Sequence, residues 1–186
     1  MASSAIILLC LVAGTFFSGV LANFLCTKKG IAVDYFSQCK DEPNTAILMK
    51  DFLVIQVNKD EYAFNGDIEF TKNIGERWEL KFRLKKCKSK ENTKSCEDFF
   101  KFDVDKVCEK LPKKGQIWSG FVEKMELNTK CPIKPKNYPI NDIKIGPECL
   151  KYFPIGPAYY MLKIEGYMNK TKIICADTAF TITCNK

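Results

Sequence analysis

Ten cysteines and no histidine bound the chemistry open to this chain of 186 residues. Without an imidazole there is no Ser-His-Asp or Cys-His arrangement, no histidine-bearing zinc site and no imidazole general base. Paired carboxylates could still act as acid and base, but no two acids are set apart by their neighbours. A hydrolase of that kind is the weakest reading, and no catalytic residue, metal ligand or cofactor is assigned. The cysteines show no Cys-x-x-Cys spacing, which argues against a zinc knuckle or a redox motif. At this density in a secreted chain, cysteines mean disulfides.

The secretory reading comes from the start of the chain. Ala5 to Phe17 is almost wholly apolar and uncharged, and is too short for a comfortable membrane span. It runs into Ser18-Gly19-Val20-Leu21-Ala22, whose small residues suit a signal peptidase. We read residues 1–22 as a signal peptide and 23–186 as a single domain, secreted or, alternatively, lysosomal by the same route. Cys10 leaves with the leader. The mature chain then keeps nine cysteines, an odd number, so at least one is free or pairs with another molecule. Cys87 and Cys96 enclose a polar loop between apolar alternating runs and are expected to close a hairpin. The remaining connectivity stays open at this point. The net charge of +7 belongs to the mature part. It fits an anionic membrane surface or acidic glycan, and solubility is the plainer reading. The lysines are dispersed and accompany no recognition motif, so nucleic acid is not an expected partner. Lys85, Lys86, Lys88 and Lys90 read as a solvated hairpin tip.

The elements that must position these groups read as strands. Val33, Tyr35 and Ser37 alternate with Asp34 and Phe36. Ala46 to Val57 is a longer apolar run interrupted at Lys50-Asp51, and Phe64 to Asp67 reads as a turn before Ile68 and Phe70. The cleanest alternation puts Trp78, Leu80, Phe82 and Leu84 on one face, with Glu79, Lys81, Arg83 and Lys85 on the other. Phe99, Phe100 and Phe102 continue the apolar theme. Asp103 to Leu111 predicts a short helix with Val104, Val107, Cys108 and Leu111 on one stripe. Ile117 to Leu127 is a weakly patterned segment. Cys131 to Ile145 carries Pro132, Pro135 and Pro139, which forbid a helix and suit an edge strand. Its apolar points are Tyr138, Ile140, Ile143 and Ile145. Next come a proline-punctuated aromatic loop, Glu148 to Phe153, and a strand with Tyr160, Leu162 and Ile164. A last hairpin turns between Gly166 and Thr171. Asn169-Lys170-Thr171 is the one Asn-x-Ser/Thr sequon and makes Asn169 a glycosylation candidate at that turn. Strands, turn signals and one short helix define an all-β, antiparallel two-sheet sandwich or cup.

Several patterns fall in a recognisable order: Tyr35-Phe36-Ser37-Gln38-Cys39 with Asp41, the Cys87–Cys96 loop, and Val107-Cys108-Glu109-Lys110-Leu111. They are followed by Cys131-Pro132-Ile133-Lys134 with Tyr138-Pro139-Ile140, Phe153-Pro154 through Gly156 to Tyr159-Tyr160, and Lys172-Ile173-Ile174-Cys175. This order resembles the ganglioside activator branch of the ML lipid-recognition superfamily and its secreted arthropod relatives, from about Tyr35 to Ile182. The resemblance implies a β-cup whose sheets splay around an apolar cavity, working without enzymatic chemistry. It implies the pairs Cys39–Cys175, Cys87–Cys96 and Cys108–Cys131. Cys26 and Cys184 lie outside the family pattern at the two ends and are expected to pair with each other, leaving Cys149 over. The chain departs from the family in three ways. It lacks an additional bridge near the Cys-Pro segment, its spacing after Pro154 is longer by one residue, and Tyr152 and Phe153 replace a mouth tryptophan. Lipid binding follows from the resemblance more than ganglioside binding does.

The functional expectation is a secreted carrier that holds a lipid or other apolar molecule and presents it to a hydrolase, receptor or membrane. Trp78, Leu80, Phe82, Phe99, Phe102 and Phe180 would line the cup, and Tyr152, Phe153, Tyr159 and Tyr160 would form its mouth. The bland alternative for these residues is ordinary core packing. The alternative function, from a different class, is a secreted interaction protein with a filled core. It would be a chemosensory, reproductive or venom accessory factor that binds a protein partner.

Overall fold

The computed structural model describes residues 28–116, 118–146, 150 and 155–185. Eight strands lie among them: β1 (Lys28–Gln38), β2 (Ile47–Asn58), β3 (Glu61–Phe70), β4 (Trp78–Cys87), β5 (Glu97–Val104), β6 (Lys136–Ile145), β7 (Ala158–Met168) and β8 (Thr171–Asn185). They form a five-stranded sheet ordered β1-β8-β7-β4-β5 and a three-stranded sheet ordered β2-β3-β6, antiparallel throughout. The all-β, two-sheet architecture read from the alternation is the one observed. Two short α-helices accompany it, α1 (Val107–Lys110) and α2 (Ser119–Lys124), where the pattern points to one. The proposed leader, Cys26, Cys149, Tyr152 and Phe153 lie outside the described residues. No helix among the described residues is long and apolar enough to cross a membrane.

One cluster of buried side chains joins the facing sides of both sheets. On β4, Trp78, Phe82 and Leu84 are buried and Leu80 packs on the same cluster, while Arg83 on the opposite face reaches Asp103 of β5 at 2.6 Å. Alternating apolar and charged residues can satisfy a buried face and a wet face only in a strand, which is why this segment reads so cleanly. Strand β6 is an edge, the position that Pro139 within it suits, and sends Tyr138, Ile140 and Ile143 inward. The sheets meet along β1 and β2, where the Met49 N–H donates to Gln38 Oε1 at 2.9 Å.

Three local readings change in the structure, each for a backbone reason. Phe64 to Asp67 is not a turn but the middle of β3. Gly66 (φ +142) forms an irregularity against β2 where a Cβ would stand 2.9 Å from both Lys50 O and Phe52 Cδ2. The turn lies earlier, at Lys59-Asp60. A register shift between Val33 and Tyr35 in β1 reverses the expected alternation, leaving Tyr35 exposed while Phe36 packs inward on Phe52 and Phe64. The helix predicted over Asp103 to Leu111 shrinks to α1. Asp103 and Val104 complete β5 by pairing with Lys81 and Leu80, and Lys106 takes a left-handed φ of 49° that a helix cannot pass through. Ile117 to Leu127, featureless in sequence, supplies α2. Trp118, Phe121, Val122 and Leu127 lie against the core, with Phe121 5.8 Å from Phe64.

Three disulfides join pairs of described residues and fix the frame: Cys39–Cys175, Cys87–Cys96 and Cys108–Cys131. The first ties the end of β1 to β8, the second closes the β4–β5 hairpin, and the third joins α1 to the segment entering β6. That segment is also held by reciprocal hydrogen bonds of 2.9 Å between Ile74 and Ile133. Cys184 is disulfide-bonded as well, and its expected partner is outside the described residues.

Candidate ligand-binding site

The inner face of the five-stranded sheet carries a row of rings in two runs, which come together in the chain at Phe99-Phe100. In the β4–β5 ladder Phe82 stands opposite Phe102, and Leu84 opposite Phe100. The Phe82 and Phe102 rings stack 4.3 Å apart within 3° of parallel, and Phe100 follows 5.6 Å from Phe102. The ladder shifts between Leu84 and Lys85, so Phe99 has no partner residue on β4 and is the extra residue of a bulge. A regular strand sends adjacent residues to opposite faces, and a bulge relaxes that rule. Phe99 accordingly turns toward Tyr160 of β7, 5.8 Å away, and Tyr160 lies against Phe180 of β8 at 5.7 Å.

This row is sealed at one end and open at the other. Tyr160 is fully buried and its hydroxyl donates to Gly156 O at 2.9 Å, while Lys29 Nζ donates to the adjacent Ile155 carbonyl at 2.7 Å. Strand β5, by contrast, is an edge with nothing hydrogen-bonded beyond it among the described residues, and Phe99 and Phe100 remain 47% and 41% exposed. The two half-exposed phenylalanines extend the buried rings to solvent at this edge. The Lys86 ammonium stands 5.6 Å from the Phe99 ring centroid and puts a positive charge at the same rim. Inside, the Trp118 indole N–H is buried without a hydrogen-bond partner among the described residues, a costly state for a donor.

The structure separates the residues grouped by sequence. Leu80, Phe82, Phe102 and Phe180 share the inner face with Tyr160. Phe99 sits at the rim rather than in the lining, for the bulge places it there. Trp78 is at the far end of β4, where its Nε1 donates to Cys108 Sγ at 3.1 Å. Tyr159 is not a mouth residue. Strand alternation puts it on the outer face, packed with Cys87, Cys96 and Met161 beneath the hairpin loop. Burial, with the hydrogen bond and negative charge of Asp34, pushes its hydroxyl pKa up to about 12. Lys90 reaches over to Asp34 at 2.8 Å, so the hairpin tip is docked rather than wholly solvated. Phe100, Trp118 and Lys86 join the site only through the tertiary structure. The adjacency of Phe99 and Phe100 is the one signal in the sequence, since two neighbouring rings can share one face only at an irregularity.

A charged cluster lies beside one of the disulfides. Lys172 bridges Glu42 at 2.9 Å and Glu165 at 2.7 Å beside the Cys39–Cys175 bond, and those two hydrogen bonds raise its pKa. Burial pushes the Glu165 carboxyl up, but the hydrogen bond and charge of Lys172 outweigh it and leave the pKa lowered. A separate cavity of about 570 Å³ lies against the outer end of β4, between α1 and the β7–β8 turn, and is lined by Asn169 among mostly charged residues. No cluster of metal-ligating side chains occurs among the described residues.

Together these features define the class: a disulfide-bridged, antiparallel two-sheet β-sandwich with an aromatic inner face. No family model matches the chain, and a search of curated proteins finds no match.

Proposed function

We propose that this protein is a secreted, non-enzymatic carrier that takes an acyl chain or similar apolar ligand between its two sheets. The observation that carries this reading is the half-exposed β5 edge, where Phe100 leads from solvent onto the Phe82–Phe102 stack and Phe99 onto Tyr160. An acyl chain gains roughly 0.8 kcal/mol per buried CH₂, so affinity needs no catalytic group. The unpartnered Trp118 N–H offers a donor to a ligand oxygen, and Lys86 offers a positive charge to an acidic headgroup or an anionic membrane. The apolar leader and the disulfides fit a secretory route. Delivery would be to a hydrolase, a receptor or a membrane, in line with the ML-type resemblance of the sequence.

The packing of Trp118, Phe121 and Val122 against the inner faces favours the second reading, a secreted interaction protein with a filled core. One experiment separates the two. Protein purified from culture medium is extracted with organic solvent for mass spectrometry and, in parallel, titrated with a fluorescent fatty acid and a fluorescent glycolipid. A carrier yields a stoichiometric lipid or saturable uptake. A protein that holds no lipid and takes up neither probe is not a carrier.

A further inference from the structure

The polar cavity at the other end of the molecule lies apart from the aromatic edge, and its lining does not suit an apolar ligand. It measures about 570 Å³ and contains four carboxylates against three cationic side chains, with Trp78 and Tyr167 as the aromatic members. A near-balanced set of acceptors and donors has no strong preference for an ion of either sign. It suits a neutral ligand rich in hydroxyl groups, which can donate to carboxylates and accept from Arg and Lys. The cavity is an open, charged groove rather than an enclosed pocket, so a ligand there stays partly in water. Glu76 and Arg77, both exposed on its wall, form no ion pair among the described residues and so keep their hydrogen-bonding capacity for a ligand.

A source of such a ligand is built into the wall. Asn169 belongs to the sequon Asn169-Lys170-Thr171 and lines this cavity. Asn169 and Lys170 take consecutive left-handed conformations, φ 52° and 65°, and Met168 pairs with Thr171, so the β7–β8 connection is a two-residue hairpin turn. Such a turn suits Asn at its first position and fixes where the side chain leaves the backbone. Asn169 is exposed and therefore accessible to modification. A substituent on its amide starts at the cavity wall rather than on a freely moving loop.

We propose that Asn169 carries an N-linked glycan whose first sugars lie in this cavity, packed along residues 76–79 and facing α1. In the attachment, Asn169 Nδ2 bonds to the anomeric carbon of an N-acetylhexosamine, displacing the diphosphate of a polyprenyl-linked oligosaccharide, and the amide loses one proton. The glycan then lies over the cavity-facing edge of the buried Trp78 and joins the β4, β7 and α1 ends through hydrogen bonds. This goes beyond ligand carriage and needs only passage through the secretory route.

The test expresses the full chain in a glycosylating eukaryotic host and takes it from the medium. Peptide mapping reads occupancy of Asn169. Hydrogen exchange is compared for the wild type, the wild type deglycosylated after folding, and Thr171→Val, which removes the sequon but keeps the turn asparagine. The expected result is an occupied Asn169 with amide exchange in residues 76–79 and 105–110 several-fold slower than in either bare form. A secreted chain with bare Asn169 overturns the proposal, as does an occupied site with unchanged exchange in those segments. Enzymatic deglycosylation keeps the comparison decisive if Thr171→Val does not fold. Failure of the chain to reach the medium overturns the secretory reading and this proposal together.

Discussion

Replacing Phe99 and Phe100 together by serine is the perturbation that most directly tests the open aromatic edge. Full burial of a phenylalanine side chain contributes about 1.5–3 kcal/mol relative to exposure. These two rings keep 47% and 41% of their surface in water, so a ligand that covers them gains about 1 kcal/mol from each. Their combined loss, about 2 kcal/mol, corresponds to roughly a 30-fold weaker Kd. Because the rings are already half in water, the cost to folding is expected to be well under the roughly 3–5 kcal/mol of emptying a core position such as Phe82. The assay is a titration with a fluorescent fatty acid, alongside urea unfolding of the same samples to establish that both proteins are folded. Leu53→Ser is the matched control. Leu53 is 60% exposed on strand β2, adjacent in the chain to the inward-packing Phe52 and Val54 and turned to the opposite face. Unchanged affinity in the Phe99/Phe100 double variant, or an equal loss in Leu53→Ser, would refute entry along β5.

Three further outcomes follow from the packing and the electrostatics. Gly166→Ala places a methyl 2.5 Å from Ile174 Cγ2 and 3.3 Å from Leu80 Cδ2, and overpacking at this stiff contact should cost about 1–3 kcal/mol in urea unfolding. Loss of Cys39–Cys175, which spans 136 residues, should destabilise by about 5 kcal/mol against about 2.5 kcal/mol for Cys87–Cys96, which spans 9. Thermal melts of the paired Cys→Ser variants should therefore rank in that order. Tyr159 retains its proton in the folded state to a pH of about 12, whereas in the unfolded chain it ionises near 10. Its contribution is thus fully present below pH 10 and is lost as pH rises from 10 to 12. Tyr159→Phe should flatten that part of the stability profile.

What the sequence determines here is whatever depends on short-range alternation and on covalent chemistry. The period of two in Trp78 to Leu84 assigns a buried and a wet face without reference to any other strand, because the pleat itself imposes that period. Prolines at 132, 135 and 139 deny the segment a helix and send it to a sheet edge, where β6 lies. The absence of histidine removes whole classes of catalysis before any fold is considered. Cys87 and Cys96 are near enough in sequence to be paired by inspection.

The tertiary structure decides what depends on irregularity and on distant partners. A one-residue shift reverses every face beyond it, so the bulge in β1 turns Phe36 inward and the bulge in β5 brings Phe99 to the rim beside Phe100. The adjacent rings Phe99-Phe100 hint at the second shift, but no local pattern announces the first, because its cause lies in the opposing strand. Asp103 and Val104 have the spacing of a helix, yet pairing with Lys81 and Leu80 offers them a complete ladder and wins. Tyr159 and Tyr160 are neighbours in sequence and read as one mouth. Strand geometry puts them on opposite sides of the sheet, one beneath the hairpin loop and one inside the core. The aromatic character of the inner face is therefore legible, whereas which rings meet solvent is not, since exposure is set by the position of β5 at the end of the described sheet.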